Sequence, residues 1–141
     1  MSKTSKVLAG ILAALLLTTA VFAAMVAIKP INFKFGSQKL AETEAIVQKI
    51  CAENGWETVI YDKTNIIYAT KDQGTWLMTV RIYFTNTTME LRYNSSDLDY
   101  DQAKNTIDQR YMEYMTTLSE QIKAALPKAP AAAPKKAPAK K

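Results

Sequence analysis

The chain of 141 residues contains no histidine and a single cysteine, Cys51. Without imidazole there can be no Ser-His-Asp triad, no Cys-His pair and no histidine metal site. One thiol forms neither an internal disulfide nor a thiolate cluster for zinc. Carboxylate, lysine and tyrosine chemistry stay open. Even so, the commonest catalytic side chains are missing, so the expectation is a non-catalytic protein without cofactor or metal site. A basic body is missing as well. The formal charge is +5, yet residues 1–30 carry three lysines and residues 127–141 carry five, with no acid in either segment. Between them, residues 31–126 hold ten Lys/Arg against thirteen Asp/Glu. A nucleic-acid-binding domain carries its positive charge on the folded body. This body is acidic, and no nucleic-acid partner is expected.

Charge is absent altogether from Val7–Ile28, "VLAGILAALLLTTAVFAAMVAI", a run of 22 residues that follows Lys3 and Lys6. As a helix it would reach about 33 Å, the thickness of a bilayer's hydrocarbon core. A cleaved export signal would place Val21 and Ala23 at the −3 and −1 positions, with cleavage before Ala24. An uncleaved anchor would use the whole run and stop at Lys29-Pro30. Lysines flank the run on both sides, so loop charge does not orient it. Cleavage after Ala23 is favoured over the anchor. No cysteine directly follows the run, which leaves no site for a lipid anchor. The expected organisation is a leader or membrane anchor over 1–30, a globular domain over 31–126 and an Ala/Pro/Lys tail over 127–141. The tail, "PKAPAAAPKKAPAKK", has nothing to pack and suits a solvated spacer. Its lysines could also tether the protein to anionic lipid or cell-wall polymer.

The body reads as helix, strands, helix. Gln38–Asn54 spaces Leu40, Val47, Ile50 and Cys51 at helical intervals, with Ser37 as a cap and Gly55 as a stop. Cys51 is therefore expected in the core. Trp56–Tyr61 and Asn65–Thr70 are short and β-rich, joined by "DKTN". Thr75–Thr85 alternates strictly, placing Trp76, Met78, Val80, Ile82 and Phe84 on one face. A two-residue turn at Asn86-Thr87 would pair Phe84 with Met89, Ile82 with Leu91 and Val80 with Tyr93, all on that face. A similar turn at Gln73-Gly74 would pair Val80 with Ile67 and Met78 with Ala69. The last helix follows from Ile107, Tyr111, Tyr114, Met115, Leu118, Ile122 and Leu126, with its period extending back to Ala103 and Pro127 ending it. Asp97, Asp99 and Asp101 precede it as anionic caps. The predicted fold is an α+β two-layer sandwich: a four-stranded antiparallel meander with one helix before and one after, both on the same face.

Three candidate sites follow. "DLDYD" with Asp108 places acids at positions one, three, five and twelve of a calcium loop, but Gln102 stands where the loop needs glycine and Asp108 where it needs glutamate. Helix capping is the better reading. On the open sheet face the register sets Arg81 opposite Arg92 and Tyr83 opposite Glu90. Facing like charges cost stability unless offset. Arg81, Tyr83, Glu90 and Arg92 are the candidate binding residues for an anion or partner, because arginine matches carboxylate and phosphate geometry. "NTT" at Asn86 and "NSS" at Asn94 match the glycosylation triplet, which matters only in a eukaryotic secretory pathway.

"RYNSSDLDY" (Arg92–Tyr100) followed by "IDQRYMEYMTTLSEQI" (Ile107–Ile122) resembles a group of small uncharacterised bacterial envelope proteins, many of them lipoproteins. On that pattern fall Arg92, Tyr93, Ser95 or Ser96, Leu98, Tyr100, Ile107, Tyr111 and Leu118. Asp108 stands where the group has histidine, Tyr114 where it has tryptophan, and the lipid-anchor cysteine is absent. The resemblance spans roughly residues 31–126. It implies export to the bacterial periplasm, or to the inner membrane facing it, and no established activity. The leading expectation is thus an exported binding or scaffolding module, with an envelope protein or anionic polymer as partner. A carboxylate-based hydrolase or transferase using Asp97, Asp99 or Glu90 is the enzymatic alternative.

Overall fold

Period-two alternation and two amphipathic helices build the domain. The computed structural model describes residues 24–61 and 65–131. The expected leader up to Ala23, residues 62–64 of the "DKTN" turn and the tail beyond residue 131 lie outside the described residues. In chain order the elements are β1 (Met25–Ala27), β2 (Ile31–Lys34), α1 (Leu40–Glu53), β3 (Trp56–Val59), β4 (Ile66–Asp72), β5 (Leu77–Phe84), β6 (Thr88–Ser96), β7 (Tyr100–Asp101), β8 (Thr106–Asp108) and α2 (Gln109–Ala125). Among the described residues, no helix is long and apolar enough to cross a membrane.

Strands β3 to β6 form an antiparallel meander, and β2 runs along its free edge to give a five-stranded sheet ordered β2-β6-β5-β4-β3. One face is buried throughout: Ile67 and Ala69 on β4, Met78, Val80, Ile82 and Phe84 on β5, Met89 and Leu91 on β6. Helix α1 covers it with Val47 and Cys51, and α2 with Tyr111, Met115, Leu118 and Ile122. Each fully buried side chain of this size is worth about 1.5–3 kcal/mol. A one-residue slip would turn a whole row of them into water. The α+β class and the helix-covered face hold, and the β5–β6 pairs Phe84–Met89, Ile82–Leu91 and Val80–Tyr93 occur as predicted.

The four-stranded meander, with one helix before it and one after it in the chain, needs correction. Strand β2 is a fifth strand, pairing Ile31 with Leu91 and Phe33 with Met89. A second sheet, β1-β8-β7, lies apart from the first. Its strands β7 and β8 lie within residues 100–108, over which the helical period of the sequence extends back to Ala103. Asn105 there has a φ of 52°, a left-handed conformation that a helix interior excludes. The chain instead turns and returns as β8 beside β1. Helix α2 therefore starts at Gln109, and its N-cap is Asp108, whose carboxylate accepts from the Arg110 N–H. Asp97, Asp99 and Asp101 do not cap it. Nor does Ser37 cap α1: the N-cap position is Lys39, with no side-chain cap bond. Gly55 does end α1, at a φ of 79° that suits glycine.

The β4–β5 register also moves by two residues. Ala69 pairs with Val80 and Ile67 with Ile82, because Gln73–Trp76 forms a four-residue loop, closed by the Gln73 N–H donating to the Trp76 carbonyl at 2.9 Å. The Gly74 N–H donates to the Asp72 carboxylate at 2.8 Å within that loop. Trp76 leaves the ladder and packs its ring edge-on against Tyr114 of α2.

Between Thr79 and Val80 the β5–β6 ladder carries a bulge that leaves Asn94 unpaired. The Tyr111 hydroxyl enters this gap, donating to the Thr79 carbonyl at 2.5 Å and accepting from the Asn94 N–H at 3.3 Å. Tyr93 packs on Tyr111 and stacks on Tyr100 at 5.3 Å. At the far corner the Lys71 ammonium donates to the Asn54 carbonyl at the end of α1, at 2.7 Å. It also lies over the Trp56 and Tyr114 rings, joining sheet and both helices.

Candidate functional site

Among the described residues no helix covers the second face of the large sheet, and its side chains fall into cross-strand rows. One row runs Val59, Tyr68, Arg81, Arg92 across β3 to β6. The next runs Ile66, Tyr83, Glu90, Asn32 and ends on β2. Lys34 pairs with Thr88 in the row beyond. All four candidate residues therefore adjoin: Arg81 faces Arg92, and Tyr83 faces Glu90.

The two arginines differ in how they are satisfied. Arg92 donates from Nε to Glu90 Oε1. That hydrogen bond, and then the charge of Glu90, raises the Arg92 pKa above its ordinary value. Arg81 has no such partner. Its Nε is buried and makes no hydrogen bond among the described residues. Both guanidiniums approach the Tyr83 ring, Arg92 at 5.2 Å and Arg81 at 6.0 Å from its centroid. Cation–π attraction of about 0.5–1 kcal/mol each offsets part of the repulsion between them.

Beside this cluster lies a groove of about 500 Å³, lined by Asn32, Phe33, Lys34, Asn65, Tyr83, Thr85, Thr88 and Glu90. Tyr83 and Glu90 thus belong to both cluster and groove, whereas Arg81 and Arg92 stand one row away. Three groove residues, Asn32, Phe33 and Lys34, come from the unpredicted strand β2. The alternation Ile-Asn-Phe-Lys at 31–34 was the available signal, but four residues set little pattern. A comparison with protein-family models, with curated proteins and with solved structures found no match.

The remaining candidates separate. Glu90 lies opposite Tyr83 near one end of β5, while the Asp97 carboxylate accepts from the Leu77 N–H at its other end, at 3.0 Å. Asp101 accepts from the Lys104 N–H at 3.2 Å. Among the described residues no three acidic or thiol side chains group as metal ligands. Asp108 is 2% exposed and binds Arg110 at 2.7 Å. The hydrogen bond from Arg110 holds its carboxyl below the usual carboxylate range. Cys51 is fully buried, and burial pushes its thiol up to about 12. A thiol so placed is a core group and a poor nucleophile. Of the glycosylation triplets, Asn86 already uses its amide to donate to the Gln38 carbonyl at 2.8 Å.

Proposed function

We propose that the protein is an exported, non-catalytic binding module of the bacterial envelope, whose open sheet face receives an anionic group of its partner. The observation carrying this reading is the Arg81 Nε, buried beside Arg92 and Tyr83 without a partner among the described residues. A donor in that state costs stability, and a carboxylate or phosphate that displaces the side chains covering it and settles against Arg81, Arg92 and Tyr83 would satisfy it. Asn32, Asn65, Thr85 and Thr88 add neutral hydrogen-bonding groups to the adjoining groove.

Export rests on the apolar run and on the resemblance to envelope proteins. The fold bears on how the run is used. Met25–Ala27 form β1, the Ala24 carbonyl accepts from the Gln109 N–H at 2.9 Å, and Ile28 packs against the core. Val7–Ala23 is then what remains for a membrane, about 26 Å as a helix and short for a span. Cleavage before Ala24 would leave β1 whole, which favours a removed leader over an anchor.

The test is cross-linking in native envelopes, comparing the natural protein with the Arg81→Glu/Arg92→Glu variant. Partners recovered with the first and lost with the second support the sheet face as the binding surface. If every partner persists, the reading fails.

A further inference from the structure

We infer that the end of helix α2 and the neighbouring edge strand form a second docking groove, which shares only Lys34 with the first and is suited to a linear phosphate-bearing polyanion. A groove of about 490 Å³ opens there, lined by Lys34, Lys123 and Lys128 together with Glu120, Ala124 and Pro127. None of these lysines lies within 4.0 Å of a carboxylate among the described residues. Three ammonium groups face one acid, on a body that is acidic as a whole. The positive charge is therefore local.

The groove is held open by backbone packing. Gly36 donates its N–H to the Pro127 carbonyl at 2.8 Å. A β-carbon at Gly36 would come within 2.7 Å of the Lys128 carbonyl, so only glycine allows this approach. Leu126 is buried beside it. Lys128, the first basic residue of the Ala/Pro/Lys segment, consequently starts from an anchored backbone and lines the groove together with Lys34. Lys123 lies with its ammonium 5.9 Å above the Phe33 ring. The sequence then adds Lys135, Lys136, Lys140 and Lys141 further along.

Lysine acts on phosphate as a point charge, without the bidentate fork that arginine offers a carboxylate. Three lysines along a groove suit repeated phosphates on one flexible chain. A bilayer surface is the competing occupant. Basic segments that settle on bilayers usually bring aromatic or large aliphatic side chains to bury, and residues 127–141 have none. The concave groove and this composition favour the polymer.

Titrating the full chain with long-chain polyphosphate tests the assignment, alongside vesicles containing 30% phosphatidylglycerol as the competing surface. The Lys123→Glu/Lys128→Glu variant should bind polyphosphate at least about tenfold more weakly at low salt. It should also lose roughly 1.5 from the slope of log affinity against log salt, since each contact contributes about 0.7–0.9. Arg81→Glu/Arg92→Glu should bind like the natural protein, which separates this groove from the sheet face. Should the charge reversal unfold the domain, Lys123→Gln/Lys128→Gln must weaken binding in the same direction. Unchanged binding by a folded lysine variant, or tighter binding to the vesicles than to polyphosphate, overturns the assignment.

Discussion

Replacing Arg81 by methionine should stabilise the domain while removing the binding proposed for its open sheet face. The buried Nε has no partner among the described residues, and an unsatisfied buried donor costs about 1–3 kcal/mol. Arg92 stands directly opposite, adding like-charge repulsion of about 0.2–1 kcal/mol. Against these gains stands the cation–π contact with Tyr83 at 6.0 Å, about 0.5–1 kcal/mol. Methionine keeps most of the apolar stem that arginine lays on the sheet. The net expectation is a gain of about 1 kcal/mol, or roughly 4–8 °C in Tm for a domain of this size. Urea unfolding followed by circular dichroism reads it as a higher midpoint at constant slope. Arg92→Met supplies the contrast, because it strips Glu90 of its partner and should give no such gain. If Arg81→Met lowers the midpoint, the arginine is a structural element and the idea that stability is surrendered there for binding is wrong.

Other expectations concern groups that hold the fold. Tyr111→Phe removes the hydroxyl that fills the β-bulge and leaves the Thr79 carbonyl and Asn94 N–H without it; a loss of about 2–3 kcal/mol is expected, while Tyr93→Phe should be nearly neutral in the same urea titration. Asp108 has a lowered pKa in the folded protein, so its contribution is present above the ordinary carboxylate pKa and disappears as pH falls through the folded value. Asp108→Asn should accordingly cost about 1–2 kcal/mol near neutrality and converge with the natural protein in acid unfolding curves. Cys51, raised to about 12, contributes in full below the ordinary thiol pKa, and its share is lost as pH rises towards the folded value, at roughly 1.4 kcal/mol per pH unit. Cys51→Ala should delay the onset of alkaline destabilisation, and iodoacetamide at pH 8 should label the thiol only after denaturation.

Legibility in the sequence followed the strength of the local pattern. The β5–β6 hairpin was readable because five apolar residues alternate on Thr75–Thr85 and the two-residue turn at Asn86-Thr87 sets the register that pairs them with Met89, Leu91 and Tyr93. The β4–β5 register was not, since a shift of two residues leaves every side chain on its own face. What settled it was the loop at Gln73–Trp76, where Trp76 is drawn to Tyr114. Strand β1 was hidden for a different reason. Met25–Ala27 closes an apolar run whose hydrophobicity suits a leader equally well, and its partner Thr106–Asp108 is too short to announce itself. The four sheet-face residues were readable because they lie on the strongest hairpin. Asn32 and Lys34 join them through β2, a pairing set by tertiary contact and not by local pattern.

Pairing of Met25–Ala27 with Thr106–Asp108 also sets an order of events. A ribosome adds about 5–20 residues per second, so the opening strand waits several seconds before its mate has even been made. During that interval the nascent chain cannot close its small sheet, and Met25–Ala27 has no partner strand. Completion of the native state is thereby postponed until almost the whole polypeptide has been synthesised.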